Sequence, residues 1–219
     1  MCSSDLCAAH LLHSLGQLSL GTSELLLRAV EPGLVCAALE LARLTPNRSS
    51  DLDYRILEAI QNPNPRISMQ ALLASAAADS PENRTKRVKQ IATRAPAVVA
   101  DSGLRAAWLI AASEAGPAIV EELPTAMFND ALFELTSSLA LDFAAGSDAA
   151  NAREILDRLG KTLKTTGDSD SVRALALASG AASGAKVKGQ TLGEWVKQAQ
   201  DRKSTRLNSS HTVISYAVF

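Results

Sequence analysis

Three side chains near the start of the chain could hold a metal: Cys7, His10 and His13, with Cys36 as a further thiol. Thiolate and imidazole are good zinc donors. On a helix, however, Cys7 and His13 lie roughly 240° apart in the direction of the chain at about 100° per residue, so the three cannot converge on one ion without a break. They are expected to be ordinary core or surface side chains. Haem attachment would need Cys-x-x-Cys-His, and no such string occurs. The run from Gly180 to Lys186 superficially suggests a phosphate loop. It lacks the Walker spacing, and no strand precedes it. Its small residues predict a flexible loop over 180–189. Arg84, Lys86, Arg87, Lys89 and Arg94 make one local basic helix, expected to be a solvated face. Trp108 and Trp195 read as core. Asn47-Arg48-Ser49 and Asn83-Arg84-Thr85 match glycosylation acceptors, a pattern common by chance. Asp142, a lone acid among apolar neighbours, reads as an exposed edge. No Ser/His/Asp set or carboxylate pair stands out. No catalytic, cofactor-binding or metal-binding residue is therefore assigned, and no enzymatic activity is expected.

The elements that carry these residues are predicted to be helices. The chain is 47% hydrophobic but only 4% aromatic. Abundant Ala and Leu favour helix, and scarce aromatic and β-branched residues disfavour sheet. No run of eighteen apolar residues offers a membrane span. The near-neutral charge lacks the basic footprint of a nucleic-acid binder. Two internal cysteines do not make a disulfide framework.

Local signals divide the chain. Ala8–Leu15 is an apolar segment, and Thr22 can cap Ser23–Val30. Pro32 suits the first turn of Gly33–Leu44, with Leu34, Ala37, Ala38, Leu41 and Leu44 as its apolar stripe. Ser50 can cap Asp51–Gln61, with Asp53 as capping-box partner. Asn62-Pro63-Asn64-Pro65 breaks the chain and opens Arg66–Ala77. Ser80 and Pro81 open a helix to Arg94, and Asp101 or Ser102 caps Gly103–Ala115, which Gly116-Pro117 stops. Thr125 opens Ala126–Ala145. Helices over Asp148–Lys164, Ser171–Ser179 and from Thr191 to Gln200 follow. The expected core comprises Leu39, Ile56, Leu57, Ile60, Leu72, Leu73, Ile91, Leu104, Trp108, Leu109, Leu132, Leu135, Leu139, Ile155, Leu159, Leu175 and Leu177.

Four helix starts repeat. Leu34-Val35, Ile67-Ser68, Leu104-Arg105 and Val172-Arg173 lie 33, 37 and 68 residues apart, the last gap leaving room for one degenerate unit near Leu139. A period in the mid-thirties with two helices per unit predicts an all-α, HEAT/armadillo-like α-solenoid of stacked helical hairpins. One hairpin buries too little apolar face alone, and stacking makes a continuous core. Asp168-Ser169-Asp170-Ser171-Val172-Arg173 resembles the start of the second helix of a HEAT repeat, Asp-x-Asp-Pro-x-Val-Arg. Leu104-Arg105 keeps the arginine, whereas Val35 and Ser68 depart from it.

A narrower resemblance covers most of the chain. Ala8–Gly16, Glu24–Val30, the Pro32 helix, Gly103–Trp108 and Ala118–Leu123 resemble the HEAT section of large bacterial membrane-bound dehydrogenase-like proteins. In that family a β-propeller precedes the HEAT section and a cytochrome c domain follows it. The resemblance implies a parent that is exported or periplasmic, whose catalytic and haem-binding parts lie outside this segment. The two ends resemble something else. Asp201–His211 and Ile214–Phe219 are similar to a literal translation of a widely used short-read sequencing adapter, and Met1–Leu6 to the other adapter end. Residues 1–6 and 201–219 are therefore expected to be passengers, contributing little stability, and 7–200 to be the natural insert. That insert has 19 Lys+Arg against 21 Asp+Glu, a net charge of −2. Cut array faces would favour self-association. The expected role is a non-catalytic scaffold or interaction segment whose partners are protein domains of the same parent, without nucleic acid, cofactor or membrane insertion. The competing expectation is a stand-alone helical enzyme or ligand-binding domain.

Overall fold

A computed structural model of the chain describes residues 25–45, 48–77, 83–124, 128–146, 149–162 and 168–197. The adapter-like ends, the Ala8–Leu15 segment and the openings expected at Thr22, Ser80-Pro81 and Thr125 lie outside these residues. The described residues are all-helical, with no strand. The helices are α1 (Pro32–Leu44), α2 (Ser50–Ala59), α3 (Pro65–Ala76), α4 (Arg84–Val98), α5 (Ser102–Ala115), α6 (Ile119–Glu122), α7 (Asp130–Ala145), α8 (Ala149–Thr162) and α9 (Asp168–Val187). A short helix over 192–197 follows.

Polar caps start five of these ten helices. Ser49 Oγ accepts from Leu52 N at α2, Asn64 Oδ1 from Arg66 N at α3, and Asn129 Oδ1 from Leu132 N at α7. Asp101 Oδ1 accepts from both Gly103 N and Leu104 N at α5. Each cap satisfies a backbone donor that the first helical turn leaves unpaired. Thr191 and Glu194 form a reciprocal capping box: Thr191 Oγ1 accepts from Glu194 N, and Glu194 Oε2 accepts from Thr191 N. Those hydrogen bonds hold the exposed Glu194 carboxyl below its usual value. Gly116 ends α5 at φ +84°, in the region that favours glycine.

Several boundaries differ from the sequence expectation. Ser49, not Ser50, caps α2, and Asp53 is buried rather than serving the cap. Phe128 and Asn129 are not helical, so α7 starts at Asp130. α4 runs past Arg94 and through Pro96 to Val98. Pro96 takes one backbone donor from the last turn, while the turn still buries Ala95 and Val98. The α1 stripe is rotated: Val35, Leu39 and Ala42 join Ala37, Ala38 and Leu41 in the core, and Leu44 is exposed.

The chain divides into two compact units, Met1–Met127 and Phe128–Phe219. In the first, α1, α3 and α5 pack one on the next, and α2, α4 and α6 do the same. The files are joined by packing of α2 on α3 and of α4 on α5. Leu39, Leu41, Leu52, Ile56, Leu57, Ile60, Leu72, Ile91, Trp108 and Ile119 are the largest fully buried side chains of this unit. The second unit is built on α7 against α9, with α8 touching both.

Of the expected core, Leu39, Ile56, Leu57, Ile60, Leu72, Ile91, Leu104, Trp108, Leu132, Leu135, Leu139, Ile155 and Leu177 are buried. Leu73, Leu109 and Leu159 are half-buried. Leu175 is a correction, at 62% exposed. It sits two residues from Leu177, roughly 200° around the helix, so the two cannot share a face. α9 instead turns Ala174, Leu177, Gly180, Ala181, Gly184 and Ala185 inward.

The expected loop over 180–189 is likewise a correction: 180–187 continue α9. A Cβ at Gly180 would overlap Ser137 O and come within 2.7 Å of Ala140 Cβ. One at Gly184 would meet Ala144 Cβ at 2.6 Å and Leu141 O at 2.7 Å. The glycines therefore admit the backbone of α7. The same small-x-x-x-small spacing lets helices approach closely wherever dispersion must hold them. Close packing outweighs the helix cost of two glycines, about 1 kcal/mol each.

Candidate functional site

The most heavily buried charges of the first unit surround Arg48, in the turn between α1 and α2. Its Nη1 donates to Ala42 O at 2.9 Å and to Ala74 O at 3.0 Å, in the last turns of α1 and α3. Its Nε stands 2.9 Å from Asp53 Oδ1 on α2, and the two side chains are 2% and 3% exposed. A cation placed on two helix C-terminal turns meets orphan carbonyls and the negative ends of both dipoles. Burial pushes the guanidinium below its usual pKa, against the opposing pull of Asp53. One donor, Nη2, is buried without a partner. The node bridges three helices and leaves no open face for a substrate.

This node is absent from the sequence expectation, in which Asp53 is a cap partner and Arg48 part of a glycosylation acceptor. A signal was present. Asp53 lies three and four residues before Ile56 and Leu57, on the face α2 buries, and a charge on a buried face needs a counter-ion.

The basic helix α4 resolves into separate tasks. Arg87 Nη2 donates to Glu114 O of α5 at 2.9 Å. Arg94 Nη2 donates to Asn62 O, just beyond α2, at 3.2 Å. Gln61 Nε2 returns the connection by donating to Gln90 O of α4 at 2.7 Å. Lys86 Nζ lies 2.8 Å from the centroid of the Tyr54 ring, a cation–π contact between α4 and α2. Arg84 and Lys89 are exposed. The expectation of a wholly solvated face therefore holds for these two, while Arg87, Arg94 and Lys86 brace neighbouring elements.

The other singled-out residues are scattered. Cys36 is half-buried on α1, and burial pushes its thiol up against the opposing effect of Arg66. Cys7, His10, His13 and Asn47 lie outside the described residues. Among the described residues no group of three or more His, Cys, Asp or Glu is placed to hold a metal. Asn83 Nδ2 donates to Ser50 O at 3.1 Å. Trp108 is fully buried and its Nε1 donates to Ile91 O at 2.7 Å, while Trp195 is buried within the second unit. Asp142 is exposed, and partial burial raises its carboxyl above the usual value.

Among the described residues, a concavity has room for a ligand. A crease of about 440 Å³ lies where the start of α1, the end of α2 and the start of α3 meet. Leu27, Val30, Val35 and Ile67 supply apolar surface, and Arg55, Glu58, Asn62 and Asn64 supply polar groups. Much of that polarity is already engaged. Arg55 Nε bonds Asp51 Oδ2 at 3.3 Å, Asn62 Oδ1 accepts from Asn64 N, and Asn64 Oδ1 caps α3. The size falls within the range of small-molecule sites, but such sites usually enclose their ligand. Among the described residues no helix is long and apolar enough to cross a membrane. No family model, curated protein or solved structure matches this chain.

Proposed function

We propose that the chain is a non-catalytic scaffold segment, a HEAT-like α-solenoid piece of a larger multidomain redox protein whose partners are domains of that parent. The observation that carries this reading is the regular bracing of the first unit. Its long-range side-chain hydrogen bonds to backbone carbonyls include separations of 26, 27, 29, 32 and 33 residues. The longest two approach the mid-thirties period of the sequence, and all five accompany two files of helices in which each member packs on the next but one. Arrays built this way owe their stability to nearest-neighbour interfaces and present extended surfaces.

Duplicating residues 65–98, the α3–α4 hairpin, tests the architecture. A nearest-neighbour stack accepts the extra unit, gains helical circular dichroism in proportion and still unfolds cooperatively. Loss of folded signal would refute the stack and favour a closed bundle. Elemental analysis and visible absorbance of the purified chain test the non-catalytic part, with no stoichiometric metal or haem expected. A bound cofactor recovered at one equivalent would favour the alternative, a ligand-binding or enzymatic helical domain, for which the crease near Arg55 and Asn62 is the supporting feature.

A further inference from the structure

We draw no further inference here: the strongest candidate, the open crease between the first turns of α1 and α3 and the last turn of α2, carries nothing because its polar groups are largely engaged within the chain and nothing in the structure shows what covers it.

Discussion

The two units fasten their helices in different ways. In the first, long polar side chains cross between helices and end on backbone carbonyls: Arg48 on Ala42 and Ala74, Gln61 on Gln90, Arg87 on Glu114, Trp108 on Ile91. In the second, α9 presents Gly180 and Gly184 to Ser137, Ala140, Leu141 and Ala144 of α7. Ser137 Oγ adds a short brace to Ala176 O at 2.9 Å, and a long side chain that reaches a carbonyl in this unit, Lys188 on Gly146 O, is exposed. A long side chain can keep its bond while the helices shift slightly. A backbone contact tolerates no added atom. The first unit should thus be most sensitive to losing a group, and the second to gaining one.

The largest expected effect is at Arg48. Arg48→Ala leaves Asp53 buried and uncompensated and strips donors from two helix-end carbonyls. Breaking a buried pair from one side costs about 3–5 kcal/mol. Urea denaturation should show that loss, and hydrogen exchange should place it in α1, α2 and α3 with α7 and α9 still protected. A double Arg48→Met, Asp53→Leu variant should recover most of it, because apolar replacements of such pairs are often neutral or stabilising. A loss under about 1 kcal/mol in the single variant would show that the node is not a fastening point. Equal loss of protection in α9 would erase the distinction between the units.

Next is the glycine pair. Gly180→Ala places a methyl group against Ser137 O and Ala140 Cβ. Overpacking of this kind costs about 1–3 kcal/mol, against a helix-propensity gain near 1 kcal/mol. Net destabilisation is expected. Gly160→Ala in α8 is the control, since a Cβ there meets nothing within 4 Å; it should stabilise by roughly 0.5–1 kcal/mol. Opposite signs for one chemical change are the measurement. If both variants are stabilised in thermal melts, α7 and α9 do not pack backbone to backbone.

A smaller effect concerns the caps, which depend little on which unit they serve. Asp101→Ala removes the acceptor for Gly103 N and Leu104 N, and Asn129→Ala removes that for Leu132 N. Each should cost about 1 kcal/mol. A cost several times larger at either site would mean the cap also holds tertiary structure.

How far the sequence predicted this arrangement depends on the range of each signal. Pro63 and Pro65, the Asp101 cap, the Gly116 stop and the Thr191 cap act within a few residues and are legible in the sequence; Glu194, the partner of Thr191, is not among the expectations. Helical class followed from composition for the same local reason. The loop expectation for the end of α9 fails because glycine is costly in a helix unless another backbone needs the space, and α7 lies about forty residues away. Leu175 was assigned to the core by its type, whereas the approach of α7 selected the face with the smallest residues. Arg48 and Asp53 are close in sequence, but the carbonyls to which Arg48 also donates come from two other elements. The crease is built from three helix ends and has no contiguous motif.

The smallest expected effect is at Asp142 and tests the second unit by charge rather than volume. Partial burial raises its carboxyl, and it lies in the last turn of α7, where the helix dipole also disfavours an anion. A folded pKa above the unfolded value of about 3.9 means the folded state holds its proton longer. Stability from this group is then present at pH below 3.9 and declines as pH rises through the folded value. Asp142→Asn removes the ionised form, so the variant should be slightly more stable at neutral pH, within about 0.5 kcal/mol for a largely exposed site. Below about pH 4 that advantage should vanish, because the native carboxyl is then neutral too. Paired urea titrations at pH 7 and pH 3.5 read the difference. An advantage that persists unchanged at low pH would assign it to hydrogen bonding or helix propensity, and burial of the carboxylate would then have no part in it.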